Sequence, residues 1–147
     1  MDYIVYIRSD ECNDYFKDNQ PFKFKVHLKT PLILKGFWTV ALVEFYCTIP
    51  AKAKNEQDLN LFCNFCKESI IGGELKPILR RIPSTKKSQW LHAFSTLFHL
   101  PVLKQEIYEM EFYIETENGD LASFLNQPLM ITLRFRNYPF YIDNESF

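Results

Sequence analysis

Three features of the sequence predict an all-β fold, an antiparallel two-sheet β-sandwich wound as an eight-stranded single jelly roll. About eight short segments, each alternating or continuously apolar, are spaced along the 147 residues. No amphipathic pattern of helical length interrupts them. Large side chains abound, with 14 Phe, 8 Tyr and 2 Trp against 4 Gly, and such residues suit the space between packed sheets. Eight strands fit two Greek keys packed face to face, whereas an immunoglobulin-like sandwich is usually shorter.

The chain is organised around residues 31–45, PLILKGFWTVALVEF. A short apolar run reaches a Lys-Gly corner, and the residues after it contain no breaker and are mostly aromatic or β-branched, the composition of a buried strand entered through a tight bend. Alternation puts Trp38, Val40 and Leu42 on one face and Phe37, Ala41, Val43 and Phe45 on the other. Both faces are largely apolar, so the strand is expected to be central. Glu44 must then reach solvent or a partner, because a buried carboxylate without one is costly.

The remaining elements follow in order. Residues 3–7, YIVYI, read as a strand, and the polar residues 9–19 as a loop. Phe22, Phe24, Val26 and Leu28 alternate with Lys23, Lys25, His27 and Lys29, a half-buried strand that Thr30-Pro31 is expected to break. Residues 51–58 read as a charged surface loop. Leu59, Leu61, Cys63 and Phe65 alternate again, Ile70-Ile71 runs into the glycine pair Gly72-Gly73, and residues 78–82 form a short strand closed by Pro83. The aromatic segment 90–98 fits neither helix nor strand cleanly. Tyr108, Met110, Phe112 and Ile114 alternate with Glu109, Glu111, Tyr113 and Glu115. Asn118-Gly119 is a preferred pair for a two-residue primed turn, in which both central residues take positive φ. Leu129, Ile131, Leu133 and Phe135 form the last strand, whose Arg134 and Arg136 would face Glu109, Glu111 and Glu115 if the two strands were neighbours. Residues 1–136 are read as the jelly-roll domain and 137–147 as a C-terminal tail.

Composition narrows the function. A chain of this length buries roughly 68–70% of its unfolded surface and needs no disulfide support. The net charge of -1 argues against a surface given over to nucleic acid, so contact with it is expected to be weak or none. The N-terminal residues lack the pattern of a secretory signal, which points to synthesis in the cytosol. No apolar run approaches the roughly 18 residues of a membrane-spanning helix. Cys12, Cys47, Cys63 and Cys66 are accordingly expected to be free thiols.

The search for chemistry returns little. Cys63-Asn64-Phe65-Cys66 is a C-x-x-C, but redox and zinc versions need both sulfurs on one side, and residues three apart in a strand point to opposite faces. Cys12, Cys47, His27, His92 and His99 add no second paired spacing for zinc. No nucleophile motif surrounds the histidines. Gly72-Gly73 lacks the Lys-Ser/Thr of a phosphate loop. The acidic strand is explained by a solvated face. No catalytic residue, cofactor or metal is therefore expected. Lys76, Arg80, Arg81, Lys86 and Lys87 form a basic cluster, of which Arg80, Arg81, Lys86 and Lys87 are candidates for contact with phosphate or an acidic partner.

Taken together, the segments DYFKDNQPFKFKVHL, PLILKGFWTVALVEF, LFCNFCKESIIGGELKPILRRIP, HLPVLKQEIYEMEFYIETENGDLASF and PLMITLRFR resemble a known family. The chain resembles the single jelly-roll minor capsid or penton-type proteins of Polinton/Maverick elements, adintoviruses and related double-stranded DNA viruses. The likeness runs from Tyr3 to Arg136 and is most specific at residues 36–44 and at Pro77-Ile78-Leu79-Arg80, although the family often has Glu where Thr39 stands. The resemblance implies a virion protein, a homopentamer at the capsid vertex that meets the major capsid protein. Under that expectation some of Tyr3, Tyr6, Phe62, Tyr113 and Tyr138, on faces opposite the core, supply subunit contacts. Tyr138, Phe140, Tyr141 and Phe147 make the tail apolar enough to clamp a neighbour. A non-enzymatic sandwich that binds a host protein or carbohydrate at its loops is the alternative.

Overall fold

The computed structural model describes residues 2–53 and 57–139. Eleven strands and no helix are found among them: β1 (Asp2–Arg8), β2 (Lys23–Ile33), β3 (Trp38–Thr48), β4 (Leu59–Cys63), β5 (Ser69–Ile71), β6 (Glu74–Lys76), β7 (Ile78–Ile82), β8 (Gln89–Ala93), β9 (Leu100–Pro101), β10 (Glu106–Thr116) and β11 (Met130–Asn137). The protein is an antiparallel β-sandwich. One sheet runs β1-β11-β3-β8, with β9 also paired to β3, and the other runs β2-β10-β4-β7; β5 and β6 form a separate hairpin.

The inner faces carry the alternating apolar residues. Val40, Leu42, Phe45, Ile131, Leu133 and Phe135 from the first sheet meet Phe24, Val26, Leu59, Leu61, Met110, Phe112 and Ile114 from the second. Phe65 lies between them, its ring 5.9 Å from Phe112 and 5.8 Å from Phe135, so one aromatic side chain bridges both layers.

The strand expected to be central is central, between β11 and β8, and Gly36 turns the corner before it at φ +90. Its faces differ from strict alternation. Leu42 pairs with Leu133 and Phe45 with Ile131, so Val43 is an extra residue in the ladder. This bulge puts Phe45 on the inner face with Leu42, and the Val43 carbonyl accepts from Phe94 N at 2.9 Å. Glu44 is left exposed on the outer face.

Other departures have similar causes. β2 continues through Pro31 because it is an edge strand, and Pro31 falls where the pairing with β10 skips from His27 to Leu32. The same irregularity turns Tyr108 outward, where it donates to Glu106, and Ile107 inward. The 90–98 segment holds β8 and then leaves the sheet. Asn118-Gly119 does form a turn, but only Gly119 has positive φ, so it is not the primed type. The two-residue primed turn is instead at Gly72-Gly73, with φ 58 and 80, joining β5 to β6. β10 and β11 lie in different sheets, so Glu109 and Glu111 face His27 and Lys25 of β2 rather than Arg134 and Arg136.

The free edge of β2 is covered by the loop before it. Cys12 Sγ accepts from His27 N at 3.4 Å, and the Asn19 side chain bonds both Lys25 N and Lys25 O. Edge amides are thereby withheld from other chains.

Candidate functional site

The outer face of the second sheet carries a polar groove. Leu59, Leu61 and Cys63 of β4 point into the core, so Asn60 and Phe62 must point out. Asn60 lies opposite Glu115 of β10 and opposite Arg81 of β7, a row of carboxylate, amide and guanidinium across three strands. The β5–β6 hairpin forms one wall through Gly72, Glu74 and Lys76, and the turn after β10 forms the other through Glu117 and Gly119, enclosing about 710 Å³.

Electrostatics tie the walls to the floor. Lys76 Nζ stands 3.2 Å from Glu115 Oε1 and 3.8 Å from Glu74 Oε2, and it lies over the Phe62 ring at 5.8 Å. Phe62 is itself fully buried and stacks on Tyr113 at 4.7 Å, so it is not a subunit contact. Burial, with Glu115 next, pushes the Tyr113 phenol up. Asn60 is 6% exposed, and its Oδ1 is buried with no hydrogen-bond partner. An acceptor in that state costs about 1–3 kcal/mol.

The basic cluster expected from the sequence is taken apart by the fold. Arg81 enters the groove, whereas Arg80 turns to the other face of β7, lies 3.8 Å from the Phe94 ring centroid and 4.0 Å from that of Phe98, and donates to Thr96 O at 2.7 Å. Burial lowers the Arg80 pKa. Lys86 and Lys87 sit in the turn before β8, Lys86 with φ 60. Their amides bond Ser84 Oγ and Thr85 Oγ1, and Lys87 O accepts from Trp90 Nε1. Only Arg81 and Lys76 share a site.

The C-x-x-C also differs from the expectation. β4 ends at Cys63, and the bend at Asn64-Phe65 leaves both Cys63 and Cys66 in the core rather than on opposite faces, with Cys66 Sγ donating to Pro77 O at 3.6 Å. All four cysteines are free. Burial pushes the Cys63 thiol well above its ordinary value. No group of three or more His, Cys, Asp or Glu side chains placed to hold a metal occurs among the described residues. His99 Nδ1 is 3.3 Å from Thr39 Oγ1, and burial, with Arg134 and Arg136 nearby, lowers its pKa.

The outer face of the first sheet has a different character. Arg8, Met130, Tyr46 and Leu91 lie side by side across four strands. Leu91 is 67% exposed, Met130 47% and the neighbouring Tyr6 75%. Of the tail residues, Tyr138 packs on Phe37 of its own chain at 5.8 Å and donates its N–H to Phe37 O. Phe140, Tyr141 and Phe147 lie outside the described residues. Tyr3 stacks on Trp38 at 5.4 Å.

Sequence reading missed Asn60 and Lys76 as parts of one groove. Asn60 showed only as the polar member of an alternation, and nothing in its own segment signals that β10 and β7 flank it with opposite charges. No helix among the described residues is long and apolar enough to cross a membrane. No family model matches the chain, and no curated protein matches it.

Proposed function

We propose that the chain is a structural virion subunit without enzymatic activity, a single jelly roll of the minor-capsid, penton-like kind that assembles with copies of itself into a pentameric vertex capsomer. The observation that carries this reading is the strand order. Leaving aside the β5–β6 hairpin and the two-residue β9, eight strands remain, and the first pairs with the eighth in one sheet while the second pairs with the seventh in the other. That winding is a double Greek key, the plan of jelly rolls in capsid proteins and also in lectins and cupins. The sequence resemblance favours the capsid use among these.

The outer face of the first sheet supports the reading further. Contiguous exposed apolar side chains on a sheet face mark an interaction surface, and Leu91, Met130 and Tyr6 provide one. A ring arises when such a surface meets a different surface of the next copy and the rotation closes. In this reading the capsomer is made in the host cytosol, is built into the virion, and meets the major capsid protein at its rim.

Light scattering after size exclusion, with negative-stain imaging, tests the proposal. A mass five times that of the chain and five-membered rings are expected. A strict monomer at high concentration, without rings, overturns it. Met130→Lys with Leu91→Lys should reduce the assembly to monomer without lowering the melting temperature.

A further inference from the structure

We propose that the groove between the β5–β6 hairpin and the turn after β10 is a carbohydrate-binding site that grips the vicinal hydroxyls of a sugar through Glu115, Asn60 and Arg81. The proposal is independent of self-assembly, since the groove is on the sheet opposite the apolar face.

The row supplies matched chemistry. The three side chains stand on adjacent hydrogen-bonded strands, about 4.8 Å apart. Each ends in a planar group with two polar atoms or more: a carboxylate that only accepts, an amide that accepts and donates, and a guanidinium that only donates. A sugar ring carries neighbouring hydroxyls that each donate and accept, so one ligand can serve all three. Ions fit less well. Glu74, Glu115 and Glu117 repel an anion, and Lys76 and Arg81 repel a cation, all lining the same groove.

Asn60 provides the independent sign of a missing partner. It lines the groove and is more than nine-tenths buried, and its Oδ1 lacks a donor. Rotating the amide aims Oδ1 into the groove, where a ligand hydroxyl supplies the donor that the protein does not. The rims are open to a ring: an added Cβ at Gly72 or Gly119 would have no atom within 4 Å. Neither glycine therefore obstructs the approach of a ring.

The test uses the whole chain, titrated with the methyl glycosides of glucose, galactose, mannose, N-acetylglucosamine and N-acetylneuraminic acid and followed by amide chemical shifts. At least one glycoside should shift the amides of Asn60, Thr116 and Gly119 with a dissociation constant in the millimolar range or tighter, about 10 mM at the weakest. Arg81→Ala, at an exposed position, and Asn60→Ala should each weaken that binding about tenfold or more. Met130→Lys, on the opposite sheet, should leave it unchanged. The proposal is overturned if no glycoside shifts these amides, if the shifts fall outside the groove or survive Arg81→Ala, or if a lysine-rich peptide occupies the groove and the glycosides do not. Rings without glycoside binding would sink this proposal and leave the assembly reading standing, and the converse holds.

Discussion

The side-chain amide of Asn19 pairs with Lys25 as a neighbouring strand would: Nδ2 donates to Lys25 O and Oδ1 accepts from Lys25 N, both at 2.9 Å. One side chain thus closes part of the open edge of β2. Asn19→Ala should cost about 1–2 kcal/mol by denaturant titration, for two lost hydrogen bonds at a largely exposed site. Faster amide exchange at Lys25 would accompany it, together with a tendency to associate through β2. Unchanged exchange at Lys25 would count against the capping role.

Arg80 and Arg81 separate cleanly by mutation. Arg80 packs between two phenylalanine rings and bonds Thr96 O, whereas Arg81 is exposed. Arg80→Ala should lower stability by about 1–2 kcal/mol and speed proteolysis within residues 94–99. Arg80→Lys keeps the charge but lacks the planar group, so it should recover only part of the loss. Arg81→Ala should leave the melting temperature within experimental error.

Phe65 is completely buried between Phe112 of one sheet and Phe135 of the other. Phe65→Ala leaves a cavity that neither layer can fill alone, and should cost about 3–5 kcal/mol in chemical denaturation. Phe65→Leu, which keeps most of the volume, should cost much less. Equal losses for the two variants would mean that the ring does not couple the sheets.

Burial pushes the Cys47 thiol up to about 12 from an ordinary value of 9.0. The folded state therefore favours the neutral thiol more strongly than the unfolded chain does. Its contribution to stability is full below pH 9.0 and is lost as the pH rises from there toward about 12. Cys47→Ala should flatten that part of the alkaline stability profile. In the native protein at pH 8, alkylation should reach the partly exposed Cys12 well before Cys47.

Much of the fold was legible in the sequence because half-buried strands write their pattern locally. Phe24 and Val26 on one face, Lys23 and Lys25 on the other, can be read without knowing any neighbour. What depended on a partner strand was not legible. Val43 is a bulge only because β11 offers no residue opposite it. The acidic face of β10 meets Lys25 and His27 because consecutive strands sit in different sheets, against the general tendency of sequential strands to pair. The primed turn falls at Gly72-Gly73 rather than at Asn118-Gly119, since both pairs are compatible with one and the strands on either side decide which makes it. The groove was the least visible part, because its residues come from β4, β7, β10 and the β5–β6 hairpin, each ordinary when taken alone.

The pairing of β1 with β11 joins Asp2 to Arg136, and it bears on how the chain is made. β11 is an inner strand of its sheet, flanked by β1 and β3. During synthesis β1 and β3 therefore wait with their pairing edges bare until β11 has left the ribosome. Premature termination between residues 101 and 130 would release a polypeptide whose first sheet lacks the strand between β1 and β3. Such a product should be recognised by its stickiness rather than by partial activity, and the capped edge of β2 would not protect it.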